Sequence, residues 1–215
     1  MQRFVDDVDQ LVSETVTMCE SACRMFDRAI SSFVDGDTET AEEVMKGFQT
    51  VDSLDVGIEE SAIRILTIYQ PTAIDARTVA TILKSITYLE RIGKYSYNIA
   101  KATLYLQDKP MYPPVDLIQP LGDVASRMVK LVVKAFEEKD SACLDKLSEM
   151  DDFLDRSMRK DLDQITAFMK ENPASVDVCT YYISVIKFIE RVGDHCCKMA
   201  EKVYFMISGK HTRIE

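Results

Sequence analysis

The chain has 215 residues, of which 47% are hydrophobic and 29% are charged, a composition typical of a folded globular protein and too apolar for a disordered one. Its formal net charge of −10 means that phosphate groups repel it, which disfavours binding to nucleic acids and to anionic lipids. Seven glycines and six prolines are too few for a turn-rich β-sandwich or β-barrel.

No targeting or membrane segment is predicted. The residues from Met1 to Asp7 are polar and acidic, unlike a signal peptide, and no run approaches the ~18 apolar residues of a membrane span. We therefore expect a cytoplasmic protein without membrane insertion. In that compartment the six cysteines are expected to be small buried hydrophobic residues; they are Cys19, Cys23, Cys143, Cys179, Cys196 and Cys197.

The first half of the chain predicts three long helices. Apolar residues recur in steps of three and four from Phe4 to Phe33, from Val44 to Tyr69, and from Val79 to about Leu106. Gly36 is expected to adopt a positive φ and Asp37 to cap the second helix. Pro71 marks the break before the third helix.

The second half repeats this plan after a proline-rich linker over residues 109–114. Apolar periodicity predicts helices over residues 121–135 and 144–169, and a sixth helix from about Ala174 to Ser208. Lys139-Asp140 and Asn172-Pro173 occupy the positions of the two breaks in the first half.

A repeated motif supports this duplication. Glu90-Arg91-Ile92-Gly93 returns 100 residues later as Glu190-Arg191-Val192-Gly193. The predicted fold is therefore all-α, with two tandem three-helix bundles over residues 1–109 and 113–210.

Two pairs of acids in the second half are the candidate metal ligands. Asp151 lies within the apolar stripe of the fifth helix and Asp155 follows one turn later, while Glu190 and Asp194 are one turn apart on the sixth helix. A carboxylate inside an apolar stripe is costly unless it is paired, protonated or bound to a cation. The four acids offer up to eight oxygens, which suit magnesium, manganese or iron.

The alternative is that these acids form ordinary ion pairs with nearby cations, namely Arg156, Arg159, Lys187, Arg191 and Lys198. There is also a geometric condition. Glu190 and Asp194 lie nearly opposite the apolar stripe of their own helix, so they can meet the fifth helix only if the sixth is covered on two sides. Ile183 and Ile186 make such a second covered face plausible.

The first copy has lost part of this pattern. Phe48 stands at the position of Asp151, and Lys94 at that of Asp194, whereas Asp52 and Glu90 are retained. Lys94 is expected to pair with Glu90 across one helical turn. Asp52 and Glu90 are therefore weaker metal candidates.

No catalytic motif is present. A ferritin-like di-iron bundle needs Glu-x-x-His pairs, and neither histidine has a glutamate three residues before it. His195 follows Asp194 directly and so points about 100° away from it. Phosphate-binding loops and nucleophile elbows are also missing, which leads us to expect a protein that is not an enzyme.

The doubled Glu-Arg-(Ile/Val)-Gly motif, followed by Asn98-Ile99-Ala100 in the first copy, resembles the PhoU phosphate-signalling family. The segments from Gln70 to Arg77 and from Asp52 to Asp55 support the resemblance, which covers nearly the whole chain. It implies two tandem PhoU domains in a cytoplasmic regulator that restrains a phosphate transporter and its signalling kinase. The family's acidic pairs, which hold metal clusters in several members, correspond here to Asp151 with Asp155 and Glu190 with Asp194. Lys198 stands where the family has asparagine and is expected to compete with a metal for Asp194.

The resulting hypothesis is a non-enzymatic regulator of phosphate uptake that contacts a phosphate transporter component or sensor kinase. It would act as a homodimer with a metal site in the second repeat, and iron, magnesium, manganese and zinc all remain open as the metal. The alternative is a metal-free helical adaptor or dimerisation module for another transporter or channel.

Overall fold

The computed structural model describes residues 2–214, and this part of the chain consists of helices joined by short connections, with no strand. Its six α-helices are α1 (Gln2–Asp35), α2 (Thr38–Tyr69), α3 (Ala73–Leu106), α4 (Ile118–Glu138), α5 (Asp145–Glu171) and α6 (Val176–Ser208). Three short 3₁₀ helices, Pro113–Leu117, Ala142–Leu144 and Pro173–Ser175, precede α4, α5 and α6. The predicted all-α class with six long helices is confirmed.

The helix ends follow the local chemistry of the sequence. Gly36 has φ of +68° and Asp37 accepts a hydrogen bond of 3.0 Å from the amide of Thr40, so the predicted turn and cap between α1 and α2 are both present. Gln70 closes α2 in the left-handed region, and its amide donates to the carbonyl of Leu66 at 3.3 Å. Lys139 plays the same part after α4, with φ of +51°.

Each half forms a three-helix unit, because α1, α2 and α3 pack on one another and α4, α5 and α6 do the same. The two units join where α3 packs against α6 and α1 against α4. As a result α6 is covered by α3, α4 and α5, and of the two residues on the predicted second face Ile186 is fully buried and Ile183 is half-buried. This second covered face meets the condition under which Glu190 and Asp194 can turn towards α5.

The linker between the halves is held against the second unit. The amide of Tyr112 donates to the hydroxyl of Tyr182 at 3.1 Å, and the ring of Tyr112 lies 5.7 Å from that of Phe168. The proposed domain limits at residues 109 and 113 fall on either side of this contact and stay a prediction.

The described cysteines behave as core residues. Cys19, Cys23, Cys179, Cys196 and Cys197 are buried and free of disulfides, whereas the side chain of Cys143 lies outside what the structure describes. Across residues 2–214, none of the helices combines the length and the apolar composition needed to cross a membrane.

Candidate functional site

The side chain of Asp151 lies against the backbone of α6 at Gly193. A Cβ at position 193 would stand 3.3 Å from Oδ1 of Asp151 and 2.8 Å from Cδ1 of Leu154, so only glycine leaves room for this approach. As its position in the apolar stripe predicted, the carboxylate of Asp151 faces α6 rather than solvent.

The acids of α5 and α6 act on one another electrostatically. Burial raises the pKa of Asp151, and the charges of Asp194 and Asp155 raise it further. Burial followed by the charges of Asp194 and Asp155 also raises the pKa of Glu190. The pKa of Asp194, an exposed residue at the rim, is raised by partial desolvation and then by Asp155. The helices thus bring all four predicted acids into one negatively charged group, which disfavours their ionised forms.

Basic side chains neutralise this group only in part. Arg159 lies 3.5 Å from Asp155, but Arg159 is well exposed and Asp155 is only half-buried, so the pair contributes little. Arg191 lowers the pKa of Glu190 and of Asp194 without reaching salt-bridge distance in residues 2–214. Lys198, the expected competitor for Asp194, places its Nζ 3.1 Å from Oε1 of Glu201, and its charge also lowers the pKa of Asp194. Among the four acids, a salt bridge within the described residues is formed by Asp155 alone.

Cys197 is a member of the site that the sequence reasoning missed. The interaction of its thiol with the carboxylate lowers the pKa of Asp151, while burial and then the charge of Asp151 raise the pKa of Cys197. The spacing of three residues after Asp194 and four after Gly193 places Cys197 beside them on α6, and this is the signal that would have identified it.

The donor set suits a hard cation, since carboxylate oxygens are what magnesium and manganese prefer. Within residues 2–214, no group of three or more histidine, cysteine or acidic side chains stands at metal-ligating distance. Closing the four acids around an ion requires new rotamers, which exposed Asp194 and half-buried Asp155 have the freedom to adopt. The metal site stays a prediction, with Asp151, Asp155, Glu190 and Asp194 as its ligands.

The first unit has a different group at the equivalent place. A Cβ at Gly93 would stand 3.4 Å from Cδ2 of Phe48 and 3.2 Å from Cγ1 of Val51, which shows that Phe48 takes the position of Asp151. Nζ of Lys94 lies 5.0 Å from the centre of the Phe48 ring and 5.1 Å from that of Tyr97.

The expected ion pair between Lys94 and Glu90 is not formed at contact distance, since in the described part of the chain the two groups do not approach within 4.0 Å, but the charge of Lys94 still lowers the pKa of Glu90. An exposed pair one turn apart is worth only about 0.3–0.5 kcal/mol, and two aromatic faces offer the ammonium group at least as much.

A second acid group lies one turn from Lys94. Burial and then the charge of Asp55 raise the pKa of Glu90, while burial, Glu59 and Asp52 raise the pKa of Asp55. Asp55 was not among the candidate ligands, although its spacing of three residues from Asp52 could have indicated it. The weaker candidates Asp52 and Glu90 are thus brought near each other. The charge of Asp55 acts on Glu90, and the charge of Asp52 acts on Asp55.

His195 takes part in the contact between the two units instead. Its ring lies 5.7 Å from that of Tyr95 and 5.4 Å from that of Tyr88, both on α3, and its Nε2 is 3.4 Å from the Tyr95 hydroxyl. Burial, helped by Arg91 and Arg191, lowers the pKa of His195 to about 4, so the ring is neutral at pH 7.

Comparison with known sequences agrees with the doubled architecture. The family model described as the PhoU domain matches the chain twice, at residues 15–103 and 118–203. A protein of Aquifex aeolicus named phosphate-specific transport system accessory protein PhoU homolog is 28% identical over 216 residues, covering 99% of this chain and 98% of its own length. A protein of Clostridium acetobutylicum with the same name is 29% identical over 211 residues, covering 96% of this chain and 95% of its own length.

Solved structures agree with the fold. The crystal structure of PhoU from Pseudomonas aeruginosa superposes with a TM-score of 0.93 at 25% identity, covering 96% of this chain and all of that one. The phosphate transport system regulatory protein PhoU from Streptococcus pneumoniae superposes with a TM-score of 0.89 at 22% identity, covering 97% of this chain and 99% of that one, which is a likeness of fold alone.

Proposed function

The chain belongs to the PhoU family, and from that premise we propose that it is a non-enzymatic regulator of phosphate uptake that works through contact with another protein. The observation that carries the proposal is the match of both halves to the family model, together with relatives of nearly equal length that are named as accessory proteins of phosphate-specific transport. The long exposed faces of six helices suit docking on a partner better than they suit catalysis.

The partner is a component of a phosphate transporter or its sensor kinase, contacted on the cytoplasmic side of the membrane. Regulation of this kind consists of binding. It requires two surfaces or two conformations of the protein, and it requires neither a nucleophile nor a general base. A homodimer is part of this proposal.

The second part of the proposed function concerns the acid group on α5 and α6. Asp151, Asp155, Glu190 and Asp194 hold one or more cations, because burial and mutual repulsion make this group costly when it is ionised and unpaired. A bound cation would neutralise the acids and tie α5 to α6. Gly193 leaves room for Asp151 at the helix contact, and the buried thiol of Cys197 interacts with the Asp151 carboxylate.

The experiment is deletion of the gene and complementation, with uptake of radiolabelled phosphate as the readout. We expect deletion to change uptake under phosphate-rich conditions and the wild-type gene to restore it. Asp151→Asn combined with Asp194→Asn tests the metal site separately, with Lys84→Met on exposed α3 surface as a control expected to complement fully. Unchanged uptake after deletion would reject the regulatory role.

A metal-free adaptor or dimerisation module for another transporter or channel is the second candidate. It is favoured by the spread of the four acids, since no three metal-ligating side chains stand together in the described residues. In that case the double variant would complement as well as wild type, and deletion would change the transport of another solute, such as potassium, instead of phosphate.

A further inference from the structure

A cavity of about 520 Å³ lies between α2 and α3 in the first unit. Its apolar wall is formed by Met45, Phe48, Tyr97 and Leu104. Phe48 is the residue that replaces Asp151, so the cavity occupies the place in the first unit that corresponds to the acid group in the second. The two halves thus present unlike surfaces at equivalent positions.

The charge at this position is opposite in sign to that of the acid group in the second unit. Lys94 and Lys46 line the cavity, and Lys94 is held over the rings of Phe48 and Tyr97. Lys101 follows Tyr97 by one turn and is exposed, so its helical spacing adds a cation on the same side. Against these stands Glu42, 3.8 Å from Nζ of Lys46. Lys94, which is not paired with Glu42, gives the aromatic-lined cavity a local positive charge that attracts an acidic group at short range, against the net charge of −10 of the whole chain.

A bare inorganic anion is a poor match for the cavity. The lining residues lie inside α2 and α3, where the backbone amides are already used in helical hydrogen bonds, so lysine side chains supply most of the donors. The apolar wall would gain nothing from such an ion. A carboxylate carried beside an apolar side chain satisfies both the lysines and the wall.

We propose that this cavity binds an acidic peptide segment of a partner protein, in which a carboxylate side chain lies next to an aromatic or aliphatic one. The apolar side chain packs on Met45, Phe48 and Leu104, while the carboxylate approaches the ammonium group of Lys94 at the rim. The acidic peptide adds the chemistry of the partner to the proposed function. Only the identity of the partner, a transporter component or sensor kinase, rests on that function. Peptide binding is measured on the purified protein and phosphate uptake in cells, so a failure of one is distinguishable from a failure of the other.

The probe is a capped peptide that places phenylalanine between two glutamates, and the readout is the ¹³C-methyl NMR signal of Met45 during titration of the full-length protein. We expect saturable shifts that weaken as the salt concentration rises. Lys94→Met should weaken binding by up to about fivefold, the upper end for a lost exposed ion pair, and Lys94→Glu by more. Lys84→Met, an exposed lysine on the same helix but outside the cavity, is the matched control and should bind like wild type. Lys46→Met provides a second test should the Lys94 variants fail to fold.

Several outcomes overturn the proposal. A peptide with glutamines in place of the glutamates that binds equally well would remove the role of charge. Phenylacetate that binds as tightly as the peptide would identify a small-molecule site. Sedimentation that shows a dimer broken by Lys94→Glu, with no peptide binding to the wild type, would mean that a second copy of the chain covers the cavity.

Discussion

Gly193→Ala is the most direct test of the contact between α5 and α6. The added Cβ would stand 2.8 Å from Cδ1 of Leu154 and 3.3 Å from Oδ1 of Asp151, whereas carbon atoms normally approach to about 3.5–4.0 Å. Overpacking of this kind costs about 1–3 kcal/mol. Alanine in place of glycine within a helix returns about 1 kcal/mol. The expected net loss is therefore up to about 2 kcal/mol.

Two other glycines separate the cost of overpacking from the gain in helix propensity. Gly57 lies exposed in α2, and a Cβ there would meet no atom within 4 Å, so Gly57→Ala should stabilise the protein by about 1 kcal/mol through helix propensity alone. At Gly93 the nearest atom would be Cγ1 of Val51 at 3.2 Å, a milder contact that should nearly cancel the same gain. The predicted order of stability is Gly57→Ala first, then wild type and Gly93→Ala together, then Gly193→Ala.

Urea unfolding at pH 7 in the presence of a chelator measures all four proteins on one scale, provided that the denaturant slope is unchanged. Gly193→Ala should also weaken any stabilisation by added metal, because Asp151 must move away from α6. If Gly193→Ala were as stable as Gly57→Ala, the close approach of Asp151 and Leu154 to α6 would be refuted.

Four further predictions concern charge and assembly. Chelation should lower the melting temperature of the wild type, because a ligand at a hundredfold excess over its dissociation constant stabilises the folded state by about 2.7 kcal/mol. Chelation should have little effect on the variant with both Asp151→Asn and Asp194→Asn. The variant Glu90→Gln should respond to chelation like wild type. In chelator, the raised folded-state pKa values of Asp151, Glu190 and Asp194 make these groups most favourable to folding below the ordinary carboxyl pKa, and this contribution is lost as the pH rises through the raised values. The urea midpoint of Asp151→Asn relative to wild type should therefore increase with pH, and a constant difference would contradict the assignment. Lys94→Met should lower the free energy of unfolding by about 0.5–1 kcal/mol through loss of the two ring contacts, with Lys84→Met near zero; a loss of several kcal/mol would mean that Lys94 is structurally buried. Sedimentation equilibrium should give twice the chain mass, and a single-chain mass at all concentrations would reject the homodimer.

Local features of the sequence were sufficient to predict much of this protein. The left-handed turn at Gly36, the cap at Asp37 and the end of α3 at Leu106 each depend on a few neighbouring residues, and all three are present in the structure. The inward position of Asp151 followed from helical periodicity, which needs only the spacing of apolar residues along one helix. The duplication followed from the recurrence of one motif at a fixed distance.

Other features depend on how the helices meet, and periodicity does not determine them. It identifies which face of a helix is buried, but not how far one helix is shifted along another. The contact of Lys94 with Phe48 and Tyr97, in place of the expected pair with Glu90, depends on that axial position of α2 against α3. The packing of His195 on Tyr88 and Tyr95 depends likewise on the position of α3 against α6. The interaction of Cys197 with Asp151 depends on the position of α5 against α6. Only the packed tertiary structure sets these shifts, because they result from the fit of many side chains at once.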